Sequence, residues 1–103
     1  MANGLQGRSK PNANTEATVF TATTPIVVAL NIVNLSGATP NTIRVSLVPS
    51  GATAATEHLI ENDTDLPAKG VIERTGIVLG TGDFIVVYSN NNTSVFNVWG
   101  VEL

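Results

Sequence analysis

The stretch Ile26-Val27-Val28-Ala29-Leu30-Asn31-Ile32-Val33-Asn34-Leu35 decides the fold. Its apolar residues recur with a period of two on both faces. Ile26, Val28, Leu30 and Ile32 fall on one face, Val27, Ala29 and Val33 on the other. A strand that is apolar on both sides sits in the middle of a sheet or is covered twice. Ser36-Gly37-Ala38-Thr39-Pro40-Asn41 reads as a turn. Residues 42–48 then alternate, with Ile43, Val45 and Leu47 inward and Thr42, Arg44 and Ser46 outward.

Working outward, the same texture recurs in short pieces. Residues 17–22 are β-prone until Thr23-Thr24-Pro25 interrupts them. Residues 49–56 are loop by composition, residues 57–62 a short strand, and residues 62–70 a polar loop. Strand pieces follow at 71–74 and 76–79, then a tight connection at Gly80-Thr81-Gly82-Asp83 into residues 84–89. Asn90-Asn91-Asn92 reads as a hairpin-type turn before residues 94–103, where Phe96 and Val98 oppose Val95, Trp99 and Val101. No segment holds a 3.6-residue period. The expectation is all-β: an antiparallel sandwich of seven to eight short strands, jelly-roll or immunoglobulin-like, because strand order is not written locally.

Residues 1–16 differ from the rest. They carry Gly4, Gly7, Pro11 and three Asn, with no apolar period. They read as an extended N-terminal arm, with the sandwich domain at 17–103. At ~3.5 Å per residue the arm could reach about 55 Å, and an arm of this composition gains order by docking on a neighbour.

The chain has 103 residues, and only 13% of them are charged, about half the ~25% of an ordinary soluble domain. Valine, isoleucine and threonine make up nearly a third of the chain, and asparagine adds 11 residues. The polar surface is therefore hydroxyl and amide rather than charge. Charges collect in the arm, between Glu57 and Asp65, and around Lys69 to Arg74, leaving the strands from Ile26 and Phe84 almost bare. Such neutral stretches suit burial in the sandwich or against another protein, because interface cores are depleted in charge.

Several function classes are excluded on the same grounds. With net charge −3 and only Arg8, Lys10, Arg44, Lys69 and Arg74 as scattered cations, there is no basic patch for nucleic acid. No cysteine is present for thiolate chemistry. Residues 1–10 lack the apolar centre of a signal peptide, and the longest apolar run, residues 26–30, is far below the ~20 residues that span a bilayer, so no membrane association is expected. The expectation is a soluble chain that works where it is made or in something assembled there.

Catalytic groups are sparse. His58, the only histidine, reads as a strand residue with a partly exposed ring. No Gly-x-Ser-x-Gly elbow occurs. Glu57, Glu61, Asp63 and Asp65 resemble a calcium loop only in charge: the sixth place counted from Glu61 is Leu66, where glycine is needed. Gly80-Thr81-Gly82 lies between strands and opens no helix, so it is a turn and not a dinucleotide site. Sequons begin at Asn34, Asn62, Asn91 and Asn92, as expected by chance in a chain rich in Asn and Thr. Trp99, the only tryptophan, reads as core ahead of a surface anchor. The chain is expected to be no enzyme and to use no cofactor or metal.

Segments along nearly the whole chain carry a resemblance. They are Leu5-Gln6-Gly7, Ser9, Pro11 and Asn14-Thr15; Pro25-Ile26-Val27-Val28; Thr42-Ile43-Arg44-Val45-Ser46-Leu47-Val48-Pro49; and Glu57-His58-Leu59-Ile60. They continue with Asp65-Leu66-Pro67-Ala68-Lys69-Gly70-Val71-Ile72-Glu73-Arg74-Thr75, Gly82-Asp83-Phe84-Ile85-Val86-Val87-Tyr88-Ser89 and Ser94-Val95-Phe96-Asn97-Val98-Trp99-Gly100-Val101-Glu102. In these the chain resembles small β-sandwich structural proteins, of roughly a hundred residues, from tailed-bacteriophage virions. It departs from them in carrying Leu59 and Ile60, where aromatics often follow the Glu-His pair.

The resemblance implies a virion component assembled in the cytoplasm of a bacterial host, with a capsid decoration role favoured. Its partners would be the major capsid protein or other virion proteins and further copies of itself, a homo-oligomer with a trimer favoured. The arm residues Leu5, Gln6, Arg8, Lys10, Pro11 and Asn14 are the candidate partner contacts, and Tyr88, Asn91 and Trp99 the candidate surface anchors. The alternative is a receptor- or carbohydrate-binding module on a tail fibre, with Trp99 or Tyr88 as a stacking platform and Asn90 to Asn92 as hydrogen-bonding groups.

Overall fold

The computed structural model describes residues 3–103. Its strands are β1 (Gly4–Ser9), β2 (Ala17–Thr21), β3 (Ile26–Asn34), β4 (Asn41–Val48), β5 (Leu59–Leu66), β6 (Val71–Leu79), β7 (Phe84–Ser89) and β8 (Ser94–Glu102). A single 3₁₀ turn at Thr56–His58 is the one helical element among the described residues. All pairings are antiparallel. Sheet I has the order β1-β8-β3-β6 and sheet II the order β2-β7-β4-β5. Only β4 and β5 are both consecutive and paired; every other connection between consecutive strands crosses from one sheet to the other.

The two-sided apolar stretch is central, with β8 on one flank and β6 on the other. Its even-numbered residues from Ile26 to Ile32 are buried between the sheets, where they meet Ile43, Val45, Ile85, Val87, Phe96 and Val98. Each such aliphatic side chain contributes about 1.5–3 kcal/mol on leaving water. In β4, Ile43 and Val45 enter this core and Leu47 packs against it. Ser46, Val48 and Val86 are buried too, although they lie outside that core. Ala54, Ala55 and Thr56 of the β4–β5 connection wall a cleft shared with Ser46, which covers part of the outer face of sheet II.

Three expectations change. Residues 4–9 do not extend away from the domain: Gly4–Ser9 is an edge strand of sheet I, in register from Gly4↔Gly100 to Ser9↔Phe96. An unpaired β8 edge would expose a row of backbone donors and acceptors, and the chain covers it with its own first strand. Pro11 is buried, and Asn14 N–H donates to the Ser89 carbonyl, so the link to β2 is folded down as well. Met1 and Ala2, also part of the expected arm, lie outside the described residues.

The expected 57–62 strand and 62–70 loop are instead a 3₁₀ turn followed by one strand running to Leu66. The polar run Glu61 to Asp65 stays in the sheet because β5 is an edge strand, bulged around Asp63 with φ 50°. Third, the pieces around Thr75-Gly76 form one strand with a bulge, where Gly76 takes φ 70°.

The two open sides of the sandwich are closed differently. At the β1–β2 side the backbones meet: a Cβ on Gly7 would lie 2.1 Å from the Val19 carbonyl oxygen. At the β5–β6 side, Arg74 of sheet I reaches across to Glu61 of sheet II and donates to the Ile60 carbonyl. Inward-pointing charge at an edge discourages further strand addition.

Candidate interaction face

Residues directly opposite one another in a sheet share a face, so the register defines what sheet I turns outward. Val101, Val27 and Val78 form one row, and Leu5, Trp99 and Ala29 the next. Arg8, Asn97, Asn31 and Glu73 form the third, and Val95, Val33 and Val71 the fourth. Three of the four rows are apolar. No segment among the described residues lies over them: Val78 is 66% exposed, Leu5 58% and Trp99 38%. Two adjoining apolar rows, and a third beyond the polar row, make this face a candidate contact surface.

The polar row is internally ordered. Arg8 Nε donates to Asn97 Oδ1 at 2.8 Å, and Asn31 Nδ2 to Glu73 Oε1 at 3.4 Å. These bonds leave a cation at the β1 edge and an anion at the β6 edge, with two amides between them.

Of the residues singled out in the sequence, Leu5, Arg8 and Trp99 come together on this face. Trp99 is therefore not core: even and odd positions of β8 alternate, and the inward places belong to Phe96, Val98 and Gly100. Gln6 sits in the β1 bulge with its amide on the Gly4 carbonyl, and Lys10 is exposed beyond the strand. Tyr88 lies on the opposite side of the molecule, on sheet II, its hydroxyl donating to Asn14 Oδ1 at 2.8 Å. The Arg44 guanidinium stands 4.6 Å from the Tyr88 ring centroid. Arg44 also donates to Asp63 at 2.7 Å, and that hydrogen bond raises its pKa.

Asn91 belongs to a buried amide and hydroxyl cluster at one end of the sandwich. Its Nδ2 donates to Asn41 Oδ1 at 3.0 Å; Asn41 Nδ2 donates to Ser94 Oγ at 2.6 Å and Thr93 Oγ1 at 2.9 Å. Asn34 Nδ2 serves the Thr39, Leu66 and Pro67 carbonyls, while its Oδ1 accepts from Ser36 N–H and Thr93 Oγ1. Among the described residues no buried side-chain nitrogen or oxygen lacks a partner. The cluster is thus fully occupied with holding β3, β4, β7 and β8 together. The Asn34 sequon lies inside it, 1% exposed, out of reach of a modifying enzyme in the folded chain.

The acids also have structural partners: Asp63 holds Arg44, and Glu61 holds Arg74 and the Thr64 hydroxyl. No group of three or more His, Asp or Glu among the described residues is placed to hold a metal ion. His58 sits on the 3₁₀ turn instead of a strand, its Nδ1 accepting from Ala55 N–H at 3.1 Å. The cleft beside it, about 170 Å³, is lined by Glu16, Arg44, Ser46, Thr56 and Leu59 among others. Set against known protein families, curated proteins and solved structures, the chain matches none.

The other residues of the four rows, Asn31, Glu73 and Val78 among them, were not singled out from sequence as a contact site. The signal was present in the second apolar side of residues 26–35. Sequence alone does not distinguish a second face covered by the chain itself from one left open.

Proposed function

We propose that the chain is a non-enzymatic structural protein of a tailed-phage virion, a capsid decoration protein that binds the outer shell and reinforces contacts between major capsid subunits. The observation that carries this reading is the strand order. Eight antiparallel strands ordered 1-8-3-6 over 2-7-4-5, with nearly every connection crossing between sheets, support reading the sandwich as a jelly roll of two Greek keys, a layout used by viral capsid domains.

A fold alone hosts many functions, so the surface must agree. The outer face of sheet I supports the reading: valine, leucine, tryptophan and amides fill most of it, and its charges, Arg8 and Glu73, stand at the two ends of one row, as in interfaces whose cores are depleted in charge. Repeated over many identical copies, contacts of modest strength act together on a shell. The glycan-binding alternative draws less support. Tyr88 and Trp99 lie on opposite faces, and Asn90 and Asn91 spend side-chain groups on Thr42 N–H and Asn41.

Quantitative mass spectrometry of washed particles of the encoding phage tests the proposal. The expected result is this chain at a fixed ratio to the major capsid protein. Its absence from washed particles would overturn the assignment.

A further inference from the structure

We infer that the outer face of sheet I pairs with the same face of a second copy of this chain, about a two-fold axis that runs parallel to the strands between β8 and β3. The inference stands on the face and not on the virion reading.

Such an axis keeps each row at its own height and reverses the strand order, so β1 faces β6 of the other copy and β8 faces β3. Two complementarities follow from the register. In the polar row, Arg8 at one edge meets Glu73 of the other copy, and Glu73 meets the other Arg8, while Asn97 and Asn31 oppose each other amide to amide. Opposite charges at the two ends of one row are what a two-fold pairing requires, since the same patch must complement itself.

In the adjacent row, Trp99, the largest side chain on the face, falls over Ala29, the smallest in that row. Beyond Ala29 the β6 bulge carries Gly76, so the indole meets a shallow place and not another bulky group. The other apolar rows set Val101 against Val27 and Val95 against Val33.

The area suffices. Four strands at ~4.8 Å spacing and a nine-residue strand at ~3.4 Å rise make a platform of about 19 by 30 Å. Face-to-face contact then buries about 1,100 Å² in total, within the range of specific weak-to-standard interfaces. Sheets stacked in this way interdigitate side chains across a layer about 10 Å thick. A threefold arrangement cannot use the face in this manner, because a face pressed on its own copy closes after two.

Sedimentation velocity of the purified full chain over a concentration series tests the inference, with circular dichroism as the check on folding. A reversible dimer is expected. Arg8→Glu places like charges at both ends of the polar row and should raise the dissociation constant at least tenfold. Arg8→Glu combined with Glu73→Arg restores opposite charges and should return it to within about threefold of the parent.

Trp99→Lys should leave a folded monomer. Because Trp99 is the only tryptophan, its emission should move to shorter wavelength as the dimer forms. A chain that stays monomeric at 100 µM, a trimer, or a dimer indifferent to Arg8→Glu and Trp99→Lys overturns the pairing. A monomer whose Trp99→Lys variant loses its place on particles assigns the face to the shell, which also overturns self-pairing while leaving the decoration role standing.

Discussion

The Asn41 amide donates to the Ser94 hydroxyl at 2.6 Å and so joins an inner strand of sheet II to an inner strand of sheet I. Both residues are buried, and Ser94 Oγ also lies 2.8 Å from Ser89 Oγ. Removing Asn41 takes one hydrogen-bond partner each from Ser94, Thr93 and Asn91 in a largely buried place. Asn41→Leu is therefore expected to lower stability by about 1–3 kcal/mol, with Ser94→Ala costing less because a hydroxyl is smaller to replace. Urea unfolding of the two variants checks this; an unchanged midpoint for Asn41→Leu would contradict the role given to the cluster.

Gly7 is where β1 passes closest to sheet II. Any side chain there enters the Val19 carbonyl, and backbone does not yield as a flexible side chain does. Gly7→Val should lift β1 from the β2 side, at a cost of about 1–3 kcal/mol, with faster amide exchange confined to β1 and the β8 residues paired with it. Exchange as slow as in the parent would show that the edge tolerates the separation.

Deletion of residues 1–9 follows the same logic. Were this segment an arm reaching outward, the remaining chain would be a complete domain. As β1, it covers the β8 edge from Phe96 to Gly100, and its loss leaves β8 paired with β3 alone, its outer edge open. The truncated chain should self-associate through that edge, seen as large species by light scattering, and lose thermal stability. A monodisperse product with the parent's melting temperature would be the contrary result.

Where the sequence was legible, apolar alternation carried the information. β3, β4, β7 and β8 each bury one side against the core; period-two apolar patterns mark Ile26 to Asn34, Thr42 to Val48 and Ser94 to Glu102, and a continuous apolar run marks Phe84 to Tyr88. β1 reads as an arm and β5 as a strand only to Asn62, for a common reason. Both are edge strands held by backbone pairing, with few side chains inside, so Gly7 and the acids around Asp63 read as loop. Strand order was beyond reach because pairs such as Ile26↔Glu102 join residues far apart in the chain. On the face, Leu5, Arg8 and Trp99 were found singly, and only the register set them in adjoining rows.

Lys69 occupies the left-handed region, φ 58°, in the turn from Pro67 to Gly70, whose Gly70 N–H donates to the Pro67 carbonyl. A side chain with a Cβ is disfavoured there by roughly 1–2 kcal/mol, partly offset by the extra freedom glycine has when unfolded. Lys69→Gly should raise stability by about 0.5–1 kcal/mol, read as a higher denaturant midpoint with unchanged slope. A loss of stability would mean the lysine stem makes up more than its backbone costs.

The two ion pairs should differ in worth. Arg44 and Asp63 have side chains 43% and 52% exposed, so water screens both partners, and Asp63→Asn is expected to cost less than about 1 kcal/mol. The Glu61 side chain is 11% exposed against 45% for Arg74, and among the described residues its carboxylate is held by Arg74 and the Thr64 hydroxyl. Arg74→Met removes the cation, leaves that carboxylate in a poorly hydrated place, and frees the Ile60 carbonyl that Arg74 also serves. The expected loss is about 1–3 kcal/mol, and it should shrink when Glu61→Gln is added, because the uncompensated charge is then gone. A double-mutant cycle by urea unfolding measures that coupling. If Arg74→Met costs no more than Asp63→Asn, the β5–β6 side of the sandwich is held by its backbone and apolar contacts alone.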